Sequence, residues 1–108
     1  MASLATEKDL HRELLSLYTR TGVATGYWAH YFLREVRKDG GLAVAKKLLR
    51  ANRVSTGFDR LIAARRADLS IEFIALSPRF KHLFSAEERA VAAKRIEATL
   101  GVSNESGS

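Results

Sequence analysis

The clearest pattern of apolar and polar positions lies in the segment 40–66, where apolar side chains recur at the spacing of a helix. Ala45 and Leu49 share one helical face, and lysine and arginine residues occupy the opposite face. A second apolar stripe begins at Phe58, shortly after Ser55, and serine is favoured at helix N-caps. The pattern therefore predicts two helices separated by a short break.

Two more helices are predicted before this segment. Thr6 begins a capping-box sequence, and the apolar positions after it predict a helix over residues 7–20 that ends at Gly22. The next helix is predicted to open at Gly26 and to end at the glycine pair that follows Asp39. Glycine decides these ends because it adopts the left-handed backbone conformation without a steric cost.

The C-terminal part of the chain predicts a short helix and a long one. Ser70 is a good N-cap for the sequence IEFIAL at residues 71–76, although the same β-branched and aromatic residues also suit a strand. Helix is favoured because of this cap and because no second strand is available for pairing. Pro78 predicts one more short turn, and a capping box at Ser85 opens a last, alanine-rich helix that ends at Gly101.

Together these elements predict an all-α fold with about five main helices and one or two short ones. We expect a single compact domain over residues 1–100 and a flexible C-terminal tail over residues 101–108. A chain of 108 residues can bury a core without disulfides or metals. The predicted core consists of apolar residues from several helices: Trp28, Phe32, Leu48, Phe58, Leu61, Ile74, Leu83 and Phe84.

Composition excludes several classes of site. The chain has no cysteine, which excludes disulfides, thiolate metal sites and cysteine nucleophiles. It has no apolar run near the roughly 20 residues that span a bilayer, and its start lacks the pattern of a signal peptide. These features predict a cytoplasmic protein with no membrane partner.

The positive charge is concentrated in the middle of the chain. The formal net charge is +6, and the segment 34–81 holds 12 basic residues against 5 acidic ones. A basic segment in a folded domain favours a polyanionic partner, although many intracellular domains are simply basic. The candidate phosphate-binding residues are nine cations of this segment: Arg34, Arg37, Lys46, Lys47, Arg50, Arg53, Arg60, Arg65 and Arg66.

The second predicted helix contains four aromatic residues within a short stretch. Trp28 and Phe32 are spaced as core residues, and we expect them to be buried. The alternative is a stacking platform for nucleic-acid bases, since aromatic faces bind single strands with little sequence preference. Tyr27 and Tyr31 are the better candidates for exposed rings, because arginine and lysine follow them on the same helix.

No catalytic or metal-binding pattern is present. His11, His30 and His82 are scattered and form none of the usual ligand spacings. Asp68 and Glu72 have the spacing of a carboxylate metal pair, but helix capping explains both more simply. The chain also lacks a phosphate-binding P-loop and a GxSxG nucleophile elbow. We therefore predict no catalytic residue, no metal, no cofactor and no enzyme activity.

The two helices predicted in the segment 40–66 also have the length of a DNA-binding helix-turn-helix motif. Thr56 and Arg60 lie on its second helix, where they could face DNA. However, Gly57 and Phe58 occupy the first turn, where a recognition helix normally contacts bases. The likeness to this motif is generic.

Five motifs follow one another between Gly26 and Ile96, about two thirds of the chain. They are GYW with a following FL at 26–33, GGLAxAKxLL at 40–49, SxGFxRL at 55–61, RxDLSIE at 66–72 and PxFxxLFxxEE at 78–88. In this order they resemble a widespread small bacterial domain that occurs alone or beside restriction-type and other nuclease modules. The resemblance implies an accessory part in DNA-related or defence processes and supplies no catalytic residue. The chain departs from the commonest pattern at Ala67, just before Asp68.

Two functions follow from these observations. The leading hypothesis is a nucleic-acid-binding or nucleic-acid-associated accessory protein that contacts phosphates without regard to sequence. The alternative is a protein-interaction module or homodimeric adaptor without nucleic-acid contact. In that case the aromatic helix or the alanine-rich last helix docks the partner.

Overall fold

A computed structural model of the chain describes the backbone of residues 4–107 and the side chains of residues 4–99. The described part is all-α and has no strand, which confirms the predicted fold class and the helical assignment of IEFIAL. Two 3-10 turns, Ala67–Leu69 and Lys81–Leu83, separate the later helices. The six helices are α1 (Glu7–Thr25), α2 (His30–Asp39), α3 (Gly41–Arg50), α4 (Thr56–Ala63), α5 (Ile71–Leu76) and α6 (Ala86–Gly107).

The predicted start of α1 is confirmed and its predicted end is wrong. The Asp9 backbone N–H donates to Thr6 Oγ1 (3.2 Å), and the Thr6 backbone N–H donates to Asp9 Oδ2 (2.8 Å), which completes a capping box. The helix then continues through Gly22 to Gly26, whose φ of 77° closes it in the left-handed conformation. Gly22 therefore lies inside the helix, where the ring of Trp28 packs against it and leaves no room for a Cβ atom.

Because α1 is longer than predicted, α2 begins later, at His30 rather than at Gly26. Tyr27 and Trp28 therefore lie in the connection between the two helices. The Tyr27 backbone N–H donates to Thr25 Oγ1 (3.1 Å), which ties this connection to the end of α1.

The predicted glycine corner between α2 and α3 is confirmed. Gly40 has a φ of 92°, a conformation that favours glycine. Gly41 begins α3 and lies so close to α1 that a Cβ atom would be 2.8 Å from His11 Cα. The Gly41 backbone N–H donates to His11 Nδ1 (3.0 Å), so the corner fixes where α3 crosses α1.

The core lies where α1 packs on α3 and α5 packs on α6. Of the predicted core residues, Phe58, Leu61, Ile74 and Phe84 are buried. Phe32, Leu48 and Leu83 are partly buried against the same cluster. Trp28 is 43% exposed, so its assignment to the core is wrong.

Arg95 joins three helices at one edge of the core. Its guanidinium donates to Glu72 Oε2 (2.9 Å), at the start of α5, and to the carbonyl oxygens of Leu48 (3.1 Å) and Ala51 (2.8 Å), at the end of α3. Glu72 is buried, and its charge is matched by this arginine. The cation also satisfies carbonyl groups that the last turn of a helix leaves free.

The last helix begins as predicted, because the Glu88 backbone N–H donates to Ser85 Oγ (3.1 Å). Its backbone remains helical past Gly101, where the sequence predicted the end. The flexibility of the tail 101–108 stays a prediction, and the side chains there and residue 108 lie outside the described part. No described helix is both long enough and apolar enough to cross a bilayer.

Candidate functional site

The nine predicted phosphate-binding cations divide into several groups. Lys46 and Arg50 face α6, where Lys46 Nζ lies 2.7 Å from Glu88 Oε1 and Arg50 Nε lies 2.9 Å from Glu88 Oε2. The Glu88 side chain is only 3% exposed. Burial alone would raise its pKa, but the hydrogen bonds from Lys46 and from the Ser85 backbone N–H, with the charges of Lys46 and Arg50, outweigh burial and lower the pKa to about 2. These two cations thus neutralise a buried carboxylate of the fold.

Lys47, the next residue after Lys46, faces a different helix. Its Nζ atom lies 3.2 Å from Glu35 Oε1 on α2, and its side chain is largely exposed. The hydrogen bond and charge of Glu35, together with the nearby hydroxyl of Tyr31, raise the pKa of Lys47. The ammonium group is therefore charged at neutral pH.

Two of the remaining cations have partners within the chain. The guanidinium of Arg66 donates twice to Asp68, over 3.0 and 3.1 Å, and this pairing lowers the pKa of the carboxyl group. The guanidinium of Arg60 lies 5.0 Å from the centre of the Tyr27 ring, in a cation–π contact. Four others are exposed and form no salt bridge with the described residues: Arg34, Arg37, Arg53 and Arg65.

A cleft of about 600 Å³ lies between α1, α3, α4 and the beginnings of α2 and α5. It brings together segments far apart in sequence, and the sequence did not predict it. Its floor is apolar and buried, and is formed by Leu17, Val44, Phe58, Leu61, Leu69 and Ile71. A volume of this size is typical of ligand-binding clefts.

Three aromatic residues line the mouth of the cleft, and we call Tyr27, Trp28 and Tyr31 the aromatic rim. Trp28 is 43% exposed and Tyr31 is 68% exposed, whereas Tyr27 is partly covered. Exposed aromatic rings that adjoin an apolar cleft make this region a candidate interaction site. Of the two tyrosines predicted to be exposed, Tyr31 is confirmed, and Trp28 takes the place expected of Tyr27.

Trp28 is held in place from two sides. Its ring packs on Gly22, and the ring of Tyr18 meets it edge-on, with 5.5 Å between centroids and 60° between planes. Tyr18 is itself hydrogen bonded to His30, with 2.8 Å between Oη and Nδ1. The exposed indole is thus a positioned group, and none of these contacts has a recognisable sequence pattern.

The exposed face of α2 continues the aromatic rim with positive charge. Tyr31, Arg34 and Lys38 are spaced by three and four residues, so they share one helical face, and all three are exposed. The face extends about 10 Å along the helix, from the spacing of 1.5 Å per residue. Lys38 belongs to this face although it was not among the nine predicted residues.

The acidic residues and histidines considered as metal-binding or catalytic candidates form contacts within the folded chain. Asp68 pairs with Arg66 and Glu72 pairs with Arg95, so the two carboxylates do not form a shared site. Among the described residues, no group of three histidine, aspartate or glutamate side chains could hold a metal ion. Each histidine has a hydrogen bond within the chain: His11 to Gly41, His30 to Tyr18 and His82 to the carbonyl oxygen of Ala5.

The first turn of α4 lines the cleft, which bears on the helix-turn-helix alternative. Thr56 and Gly57 belong to the wall of the cleft, and Phe58 is buried in its floor. A recognition helix instead presents its first turn on a convex surface that can enter a groove. The position of this turn in the cleft therefore does not favour a DNA-binding helix-turn-helix motif.

Comparisons with family models, with curated proteins and with solved structures found no match for this chain. The resemblance to the small bacterial helical domain stays a prediction. The function is therefore argued from the geometry of the cleft and from the charges around it.

Proposed function

We propose that this protein is a non-catalytic nucleic-acid-binding module whose contact surface is the aromatic rim and the adjoining basic face of α2. The observation that carries the proposal is the exposure of Trp28 and Tyr31 at a cleft that Lys47 also lines, with Arg34 about one helical turn from Tyr31. Proteins that bind nucleic acid with little sequence preference combine exposed aromatic rings with cations that follow the phosphates. The aromatic rim supplies such rings, the basic face of α2 supplies such cations, and the two adjoin at Tyr31.

The cations differ in how readily they can contact a phosphate. Arg34 and Lys38 are exposed and form no salt bridge with the described residues, so a phosphate can approach them directly. Lys47 can share its ammonium group between Glu35 and a phosphate, because its side chain is exposed. Lys46 is largely covered, and to bind a phosphate it would have to leave the buried Glu88, which is costly. Arg50 is exposed, but its Nε is bonded to the same buried carboxylate. We therefore assign phosphate binding to α2 and Lys47, and we assign Lys46 and Arg50 to stability.

A second candidate function is a protein-interaction module, and the apolar floor of the cleft favours it. Phe58, Leu61 and Ile71 form the apolar floor of the cleft, and an apolar side chain of a protein partner that enters the cleft could pack on them. In that case the basic residues contribute mainly to solubility. Binding to this partner would depend weakly on salt, whereas phosphate binding depends on it strongly.

The experiment is a fluorescence-anisotropy titration of labelled oligonucleotides at about 50 and 200 mM salt. Contacts from Arg34, Lys38 and Lys47 to a single strand predict a slope of about −2 for log K against log salt concentration, from about −0.7 for each phosphate. The proposal is supported by binding with such a slope. It is contradicted if neither single-stranded nor double-stranded oligonucleotides bind at the lower salt concentration.

A further inference from the structure

We propose that the cleft binds unpaired nucleobases by stacking on the aromatic rim, which makes the protein selective for single-stranded nucleic acid. This inference rests on the proposed function and specifies its ligand. It concerns what the aromatic rim contributes beyond the phosphate contacts of the cations.

The position of Trp28 favours a stacked ligand. One side of its ring packs on Gly22 and Tyr18 makes an edge-to-face contact with it, yet 43% of the residue remains exposed at the mouth of an apolar cleft. Since these contacts already fix the ring, a ligand that stacks on it loses little additional freedom of the side chain. An ordered, exposed aromatic surface of this kind favours a flat apolar ligand.

The charge around Tyr31 also favours a nucleotide. Lys47 and Tyr31 line the same cleft, and Arg34 and Lys38 follow Tyr31 along the exposed face of α2. A base that stacks on Tyr31 or Trp28 would therefore have cations close to its own phosphates. A free apolar compound would use the rings but not these charges, whereas a nucleotide uses both.

Few buried polar groups in the cleft could recognise the edge of a base. Of the three buried polar residues that line it, Thr21, Ser70 and Glu72, the side chains of the last two already have partners in the chain. Ser70 Oγ donates to the Ala67 carbonyl oxygen (2.6 Å) and accepts from the Phe73 backbone N–H (3.1 Å), and Glu72 is paired with Arg95. These groups do not offer hydrogen bonds that distinguish one base from another. We therefore expect stacking with little sequence preference.

Double-stranded DNA does not fit this mode of binding. In a duplex both faces of each base are covered by neighbouring base pairs, so a duplex presents mainly its phosphates and groove edges to the protein. Stacking on the rim would require unpairing, which costs a few kcal/mol for each base. The rim therefore adds affinity for a single strand only.

Trp28 is the only tryptophan of the chain, so its fluorescence reports directly on the rim. The experiment titrates the full chain with an oligothymidine, with an abasic strand of the same length and with a blunt duplex. We expect the oligothymidine to quench Trp28 and to bind most tightly, and the abasic strand to bind weakly without quenching.

A pair of variants at Tyr31 tests the stacking itself. Tyr31 is 68% exposed, so its substitution leaves the core intact. Tyr31→Ala should weaken oligothymidine binding by about 5- to 150-fold, the range for loss of one stacked base, and should leave binding of the abasic strand unchanged. Tyr31→Phe keeps the ring and should bind like the original protein. Circular dichroism of both variants verifies the fold.

The outcomes separate the inference from the proposed function. If the abasic strand or the duplex binds as tightly as the oligothymidine, phosphate contacts explain the affinity, so the inference is wrong while the proposed function stands. The same conclusion follows if Tyr31→Ala and Tyr31→Phe bind oligothymidine equally well. If no strand binds at low salt, both proposals are wrong, and the protein-interaction module becomes the favoured function.

Discussion

Gly22 lies directly beneath the indole ring of Trp28, so closely that a Cβ atom at position 22 would overlap the six-membered ring. This contact accounts for a glycine inside α1 and for the fixed position of an exposed tryptophan. The first helix continues through a glycine that resembles a helix end, and a tryptophan that is spaced like a core residue lies at the mouth of the cleft. The aromatic rim therefore depends on a residue that has no side chain.

Gly22→Ala should displace Trp28 from its position. The added methyl group cannot fit between α1 and the indole, and such overpacking typically costs about 1–3 kcal/mol, more than the helix propensity that alanine gains. We expect a shift in the Trp28 emission spectrum and weaker oligonucleotide binding. Gly57→Ala is the matched control for the emission spectrum and the stability only, because the nearest atoms to its Cβ lie at 3.6 and 3.8 Å and leave room for a methyl group, while Gly57 itself lines the cleft. An unchanged spectrum in Gly22→Ala would show that the ring is not held there.

Glu88 should make the stability of the protein depend on pH in the acid range. Its pKa is about 2 in the folded protein, against an ordinary value of 4.5 for a glutamate in water, so the folded state favours the ionised form. The resulting stabilisation is present above about pH 4.5 and is lost as the pH falls towards 2, and its size is on the order of 3 kcal/mol. Urea unfolding between these pH values measures it.

Glu88→Gln should remove most of this pH dependence and lower the free energy of unfolding at neutral pH. Glu87→Gln is the control, because Glu87 is an exposed neighbour without a salt bridge to the described residues. If both variants retain the same dependence on pH as the original protein, the buried ion pairs of Glu88 do not stabilise the fold as described.

Lys46→Ala and Lys47→Ala should differ in their effect on stability although the residues are adjacent. Loss of Lys46 removes one of two cations from the buried Glu88 and should cost about 2–3 kcal/mol, somewhat less than complete loss of a buried pair. Loss of Lys47 removes an exposed pair with Glu35, which solvent screens, and should change the stability much less. Chemical denaturation measures both. Equal effects would contradict the different roles assigned to the two lysines.

Arg95→Ala should destabilise the protein strongly. The substitution leaves Glu72 buried without its partner and removes the donor to two carbonyl oxygens at the end of α3. Removal of one member of a buried ion pair typically costs about 3–5 kcal/mol. Lys94→Ala, on the exposed side of the same helix, should change the midpoint of thermal unfolding only slightly. A small effect of Arg95→Ala would mean that water replaces the guanidinium at this edge of the core.

The sequence predicted those parts of the fold that local chemistry decides. The serine or threonine caps at Thr6, Ser55, Ser70 and Ser85 were identified correctly, because each cap bonds to a backbone N–H three residues away. The glycine corner at Gly40 was identified because its φ of 92° is a conformation that glycine adopts without a steric cost. Periodic apolar positions then gave the helices and half of the proposed core residues.

Contacts outside the helical pattern decided what the sequence did not reveal. Helical spacing placed Trp28 in the core, but α1 continues to Thr25, so the residue lies in a connection with its ring packed on Gly22. Lys46 and Arg50 resembled free surface cations, because their partner Glu88 is about 40 residues away and has a local role in a capping box. The cleft combines five segments, so only the folded chain contains it.

The central claim is that nucleic acid binds at the aromatic rim and the basic face of α2. It is tested most directly by comparing two charge-reversal variants in the anisotropy titration. Arg34→Glu with Lys38→Glu changes the face beside Tyr31, and Lys8→Glu with Lys94→Glu changes exposed lysines outside the cleft. Both variants have the same net charge, +2 instead of +6, since each exchange removes two units.

We expect the α2 variant to lose at least about tenfold in single-strand affinity at low salt and its salt slope to become shallower by about 1.4, the contribution of two phosphate contacts. The control variant should keep the slope of the original protein and lose only the small part of its affinity that depends on net charge. Equal losses in the two variants, or no loss in the α2 variant, would contradict the assignment of nucleic-acid binding to this surface.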